Sequence, residues 1–248
     1  MPKLGVNIDH IATLRQARLT SVRGIGDPAY PDPARAAEIC RRLGVNSVVM
    51  HLREDRRHIQ DADLFRVRER VKIRVNLEMS AAPSVVAVAL KFNPEQVTLV
   101  PERREEKTTE GGLDLLRRPR ELARVIGKFR KKEIETSLFI DPDPRQILAV
   151  RGLGADIVEF HTGDYANQRT SAGRKKELLR LRAAVKLAHS QGIVTHAGHG
   201  LDYDNVKAVA AIPGMGELNI GYSIVSRALW TGFDRAVADM MKLAAGKA

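Results

Sequence analysis

Short apolar runs recur along this chain, and most of them end in a small polar cluster. The first reads Lys3-Leu4-Gly5-Val6-Asn7-Ile8-Asp9-His10, the second Ser47-Val48-Val49-Met50-His51-Leu52-Arg53, and the third Ile73-Arg74-Val75-Asn76-Leu77-Glu78. The pattern predicts eight strands, near 3–9, 46–52, 73–79, 95–101, 135–141, 155–161, 192–197 and 216–221. Helical periodicity predicts helices near 33–43, 60–70, 83–92, 119–132, 144–152, 171–190, 203–211 and 223–245. Strands alternating with helices imply βαβ units and a parallel sheet. Eight such units in 248 residues suit a closed (β/α)₈ TIM barrel forming one catalytic domain over 1–248. An open doubly wound sheet would need a glycine-rich first turn; Asp9-His10-Ile11-Ala12 has no glycine.

Punctuation agrees with that division. Pro33, Pro83, Pro119 and Pro144 fall where helices begin, and a missing N–H costs nothing there. Gly44 follows Arg41-Arg42-Leu43 as a helix-ending glycine does.

Within each strand the side chains alternate faces. Asn7 and Asp9 share a face, as do His51 and Arg53, Asn76 and Glu78, and Glu159 and His161. The apolar set packs outward under the helices, and the polar set lines the barrel. The downstream strand ends of such a barrel carry the active site. Glu78 is therefore the best acid/base carboxyl, because desolvation raises its pKa towards neutrality. His51 and His199 are the best histidines for proton transfer. His10, His161 and His196 also sit at or near strand ends, and His58 lies in a loop within reach.

Three further chemistries bear on these residues. His196 and His199, with His51 and Glu78, form a possible zinc set, but neither an HxH strand nor an HExxH helix is present. No lysine ends a predicted strand, which argues against a Schiff-base aldolase. Phosphate fits two places: Gly198-His199-Gly200 after the seventh strand, and Gly221-Tyr222-Ser223 opening the last helix. Arg18, Arg53 and Arg56 could clamp a second phosphate. The stretch from Glu105 to Leu113, with two adjacent glycines, reads as a lid ordered by substrate.

Charge and composition narrow the class. The net charge is +11, with 41 Lys and Arg against 30 Asp and Glu. Aromatics make up only 4%, few for base stacking, and the basic pairs are scattered along the chain. A field attracting phosphorylated metabolites fits better than nucleic acid. The single cysteine, Cys40, excludes internal disulfides and reads as core. No signal peptide or membrane-spanning run is visible, so a cytoplasmic protein is expected.

The segments Gly5–Arg15, His51–Ile59, Asn76–Met79, Val100–Glu102, Thr108–Asp114, Phe160–Gly163, Ala197–Leu201 and Leu218–Gly221 together resemble one family, pyridoxine 5′-phosphate synthase. The likeness runs the whole chain, in order. It implies a TIM barrel with extra helices, assembling as an octamer. It also implies condensation of 1-deoxy-D-xylulose 5-phosphate with 3-amino-2-oxopropyl phosphate, giving pyridoxine 5′-phosphate, phosphate and water with no metal or cofactor. Carried over by motif, His51, Glu78 and His199 are the acid/base residues. Asn7, Gly200 and Arg18 meet the aminoketone, with Gly221 and Tyr222 at its phosphate. Asp9, His10, Arg53, His58 and Thr108 meet the deoxyxylulose phosphate. Two departures stand out: Leu19–Ala29 intervene between Arg18 and Tyr30-Pro31-Asp32-Pro33, and Tyr222 replaces a frequent histidine. The alternatives are a metal-dependent barrel hydrolase and a non-catalytic phosphate- or RNA-binding barrel.

Overall fold

The structure, a computed structural model, describes residues 1–18, 30–102 and 111–246. Eight parallel strands close into a barrel in sequence order, with β1 bonded to β8. They are β1 (Lys3–Asn7), β2 (Ser47–His51), β3 (Arg74–Met79), β4 (Gln96–Leu99), β5 (Glu135–Ile140), β6 (Ile157–His161), β7 (Val194–Gly198) and β8 (Met215–Ile220). The predicted fold class is the observed one.

The helices around the barrel begin with α1 (Asp9–Gln16), α2 (Pro33–Leu43), α3 (Asp61–Arg70), α4 (Pro83–Phe92), α5 (Pro119–Arg130) and α6 (Pro144–Leu153). They continue with α7 (Gly163–Ala166), α8 (Ser171–Ser190), α9 (Val206–Ala210), α10 (Tyr222–Thr231) and α11 (Phe233–Ala244). All four prolines open helices as expected. Gly44 ends α2 in the left-handed region, at φ +82°.

Three elements differ from the sequence reading. Helix α1 begins at Asp9, where a strand was expected to continue. Its buried face is Asp9, Ala12 and Arg15, so two of its three inward residues are charged and hide the apolar period. The expected helix 223–245 is two helices, because Gly232 at φ +80° breaks it. The short α7 was not foreseen; at four residues it is too brief to show a period.

The alternation of strand faces holds. Val6, Val48, Met50, Val75, Leu77, Val97, Leu99, Leu138, Val158, Phe160 and Leu218 are buried under the helices. Cys40 belongs to this core, and burial pushes its thiol up to about 12. The opposite set fills the barrel with polar groups that bond one another. Thr98 donates to Asn76 (2.8 Å), Ser47 to Glu217 (2.7 Å) and Asn219 to Glu159 (2.6 Å).

Arg15 ties α1 to α3. Its side chain is fully buried, and it donates to both oxygens of Asp63 (2.7 and 2.8 Å) and to the carbonyl of His58 (3.1 Å). Asp63 also accepts the backbone N–H of Gln60 (2.8 Å), capping α3. A bidentate pair with its other donors occupied suits a dry site. Removing one partner strands the other charge, which costs about 3–5 kcal/mol. Arg15→Met is therefore expected to lower unfolding free energy by about that amount in urea titration. A loss under about 1 kcal/mol would place the pair with weak surface bridges.

Candidate active site

The site is assembled from strand ends on the downstream face of the barrel. Asn7 ends β1, and two residues on Asp9 opens α1. The Asn7 amide donates to Asp9 (2.9 Å), and its carbonyl oxygen accepts the Asp9 N–H (2.9 Å). The other Asp9 oxygen accepts the backbone N–H of His51 (2.8 Å). One carboxyl thus joins β1 to β2 at the mouth. Gly221, after β8, lies against Asn7: a Cβ there would fall 2.8 Å from the Asn7 Cβ.

His51 ends β2 beside Glu78 on β3, with Nδ1 3.9 Å from the carboxylate. Its ring lies 6.0 Å from that of His58. Among the described residues, Asp9, His51 and Glu78 form a group whose potential ligand atoms all lie within 4.8 Å of one another. His10 meets Tyr222 edge-on at 5.4 Å; Tyr222 itself is exposed at the first turn of α10.

On the far side, His199 and Gly200 are successive left-handed residues, at φ +78° and +79°. The Thr162 hydroxyl donates to the carbonyls of Gly198 and His199, both at 2.7 Å. Asn205 holds the carbonyl of Gly200 (3.0 Å). The His199 ring lies 4.9 Å from that of His161.

Burial splits the protonation states. It raises Glu78 well above its ordinary value, helped by the nearby Glu159 and Asp9. It lifts Asp9 to about 7 against the bonds from His51 and Asn7, and Glu159 to about 8. The same burial drives His51 well down, with His58 and Arg53 adding to it. His58 and His199 fall to about 4, and His10 falls as well. At neutral pH the barrel mouth therefore pairs neutral imidazoles with carboxyls that resist ionisation.

Not every predicted residue joins this group. His196 lies in the lower half of the barrel, level with Glu159 and Glu217, and feels Arg74, Glu135 and Lys3 near the strand starts. The supposed His196–His199 ligand pair is thereby broken: the two histidines serve different levels of the barrel. Arg56 is spent on Asp61 (2.6 Å) and the carbonyl of Arg53 (2.6 Å). Arg53 is buried near Asp55 and Glu102, at 3.6 and 3.7 Å. Arg18 is exposed in the turn after α1. Thr108, most of the expected lid and the 19–29 segment lie outside the described residues. Among the described residues no lysine ends a strand.

Sequence reasoning passed over Asp141, which follows β5 and bonds His161 at 3.1 Å. It noted Glu159 without placing it in the site. A strand-end aspartate before proline looks like a turn residue, and a mid-strand glutamate looks like lining; only closure of the barrel brings Asp141 to His161, the ring beside His199, and Glu159 near Glu78.

The family described as "Pyridoxal phosphate biosynthesis protein PdxJ" matches residues 4–246. The chain belongs to this family. A relative named pyridoxine 5′-phosphate synthase from Solidesulfovibrio magneticus is 50% identical over 246 residues, 99% of each chain. One of the same name from Synechococcus sp. is 53% identical over 240 residues, 97% of each chain. Among solved structures, TrpF from Jonesia denitrificans aligns at a TM-score of 0.63 with 14% identity, covering 100% of this chain and 98% of that one. Phosphoribosyl anthranilate isomerase from Thermus thermophilus aligns at 0.59 with 10% identity, covering 98% of each. These two show the barrel fold alone.

The Glu78 shift has a measurable sign. A carboxyl whose folded pKa is raised costs stability once the unfolded chain ionises, so stability falls as pH rises above about 4.3 towards the folded value. Glu78→Gln removes that cost. The variant is expected to melt higher than the parent at pH 8, with a smaller difference at pH 4.5. Equal differences at both pH values would mean Glu78 ionises freely in the folded protein.

Proposed function

We infer that the chain is a pyridoxine 5′-phosphate synthase, joining 1-deoxy-D-xylulose 5-phosphate to 3-amino-2-oxopropyl phosphate. The observation that carries this is a family match spanning residues 4–246 on a barrel mouth where burial pushes the carboxyl pKa values up and the histidine values down. The reaction needs both at once. An amine adds to a ketone, the carbinolamine loses water, a carbon acid enolises, phosphate departs and the ring closes; each step moves protons. Glu78 supplies a proton to a departing oxygen, while His51 and His199 accept protons. No strand-end lysine is required, because the imine forms between the two substrates.

The binding roles follow the strand ends. Asn7, Gly200 and Arg18 hold the aminoketone. Its phosphate sits at Gly221 and Tyr222, where the first N–H groups of α10 have no partner within the helix. A backbone contact there tolerates tyrosine in place of histidine. Asp9, His10, Arg53, His58 and Thr108 hold the deoxyxylulose phosphate. The 1–248 chain acts as one catalytic domain in a cytoplasmic homo-octamer. Leu229 and Trp230, exposed on α10, are apolar side chains that such an assembly would cover. Among the described residues no helix is long and apolar enough to cross a membrane.

Incubation with both substrates is expected to release pyridoxine 5′-phosphate and inorganic phosphate together; release of neither overturns the reading. Glu78→Gln is expected to cut turnover by about 10²–10⁴-fold while the protein stays folded. Near-normal activity would remove Glu78 from its role.

A second reading rests on the Asp9, His51 and Glu78 cluster, whose donor set suits zinc. Dialysis against a chelator separates the two. Unchanged turnover is the expected result. Activity lost and then restored by zinc or manganese would favour a metal enzyme.

A further inference from the structure

Behind His199 stands a buried group that none of the proposed steps uses. His161 ends β6 with Nδ1 3.1 Å from the carboxylate of Asp141. The bond from His161 is the main force holding Asp141 below the ordinary carboxylate range, so this carboxylate stays charged. A charged carboxylate at Nδ1 fixes the imidazole as the Nδ1–H tautomer. The same oxygen accepts the backbone N–H of Gly112 (3.1 Å), which locks the carboxylate in turn. Phe139 also packs edge-on against the His161 ring, at 5.4 Å and 60°.

So fixed, the ring packs against His199 at 4.9 Å with the planes tilted by 53°. The chain between them is shaped to allow this. Thr162 clamps the carbonyls of Gly198 and His199. Gly163 leaves the space that both rings occupy: a Cβ there would lie 2.5 Å from His161 Nε2 and 3.3 Å from His199 Cδ2. Arg180 on α8 also bears on the Asp141 carboxylate and is itself paired with Asp164 on α7, 3.0 Å away.

We propose that Asp141 and His161 are positioning residues for His199: the carboxylate fixes the angle and tautomer of the His161 ring, and that ring sets the orientation of the His199 imidazole. The inference rests on the reading that His199 moves a proton in the reaction. Simple packing would explain a ring at that place, but not a buried imidazole bonded to a carboxylate that is itself held by a backbone N–H.

Two variants separate positioning from packing. His161→Phe keeps a flat ring and loses the bond to Asp141. Asp141→Asn keeps the shape and loses the charge; its side chain is 43% exposed, so folding tolerates it even if His161→Phe does not fold. Both are expected to lower kcat about 10- to 100-fold, the scale of a misaligned reacting group, with KM for each substrate little changed. In a His199→Asn background the added loss from either should vanish, since groups acting as a unit are not additive. Parental kcat in both variants, or a full further loss in the His199→Asn background, overturns the proposal.

A readout without substrate keeps this separate from the function itself. The imidazole nitrogens of His199 are followed by NMR against pH. Burial and the neighbouring His161 hold its titration down to about 4. His161→Phe removes the second influence, so the midpoint should rise, and Asp141→Asn should shift the His199 ring signals. Unchanged midpoint and signals in both overturn the positioning role. Failure of the parent protein to release phosphate would instead overturn the synthase reading.

Discussion

A closed barrel gives its interior no bulk water, so the polar groups placed there depend on one another for hydrogen bonds. That constraint governs this protein. Buried polar groups left unpaired cost roughly 1–3 kcal/mol each, and this interior holds Ser47, Asn76, Thr98, Glu159, Glu217 and Asn219. Their bonds are made between adjacent strands or across one intervening strand: Thr98 to Asn76, Ser47 to Glu217, Asn219 to Glu159. The barrel core is thus a hydrogen-bonded floor, and the reactive residues stand on it.

The same absence of water tunes the chemistry. Burial moves carboxyls and imidazoles in opposite directions, because it penalises charge of either sign. Glu78 and Glu159 rise, while His51, His58 and His199 fall. Burial thus favours the neutral form of both kinds of group, leaving protonated carboxyl and free imidazole side by side. Arg15 reaches this region from outside the barrel. By donating to the His58 carbonyl while paired with Asp63, it makes the loop at His58 part of the rigid shell.

Most of the fold was legible because its apolar pattern was regular. The strands repeat with period two, and the helices start at prolines. What escaped notice was an element whose buried face is polar. The inward Arg15 and Asp9 of α1 carry no hydrophobic signal, though they fix the first βα junction. The site was legible where residues end strands: Asn7, His51, Glu78 on its strand β3, and His199 just past β7. It was not legible where its parts come from different levels or from turns. His196 looked like a strand-end ligand until the register placed it low in the barrel. Asp141 was only the last position of the expected 135–141 strand, and pairing of β5 with β6 brings its partner His161 to it. Arg56 looked like a free cation until its loop folded back on Asp61.

The left-handed backbone at His199, φ +78°, bears on how this sequence can change over time. Histidine is uncommon in that region, and asparagine and aspartate share its tolerance there. Both lie one nucleotide from a histidine codon. The turn would therefore accept either with little disturbance to the barrel, and selection for a stable fold alone would not retain the imidazole. A lineage that ceased to need the reaction would be free to drift at this position while keeping every strand and helix intact. The identity of this one residue then records continued use of the site better than the barrel around it does.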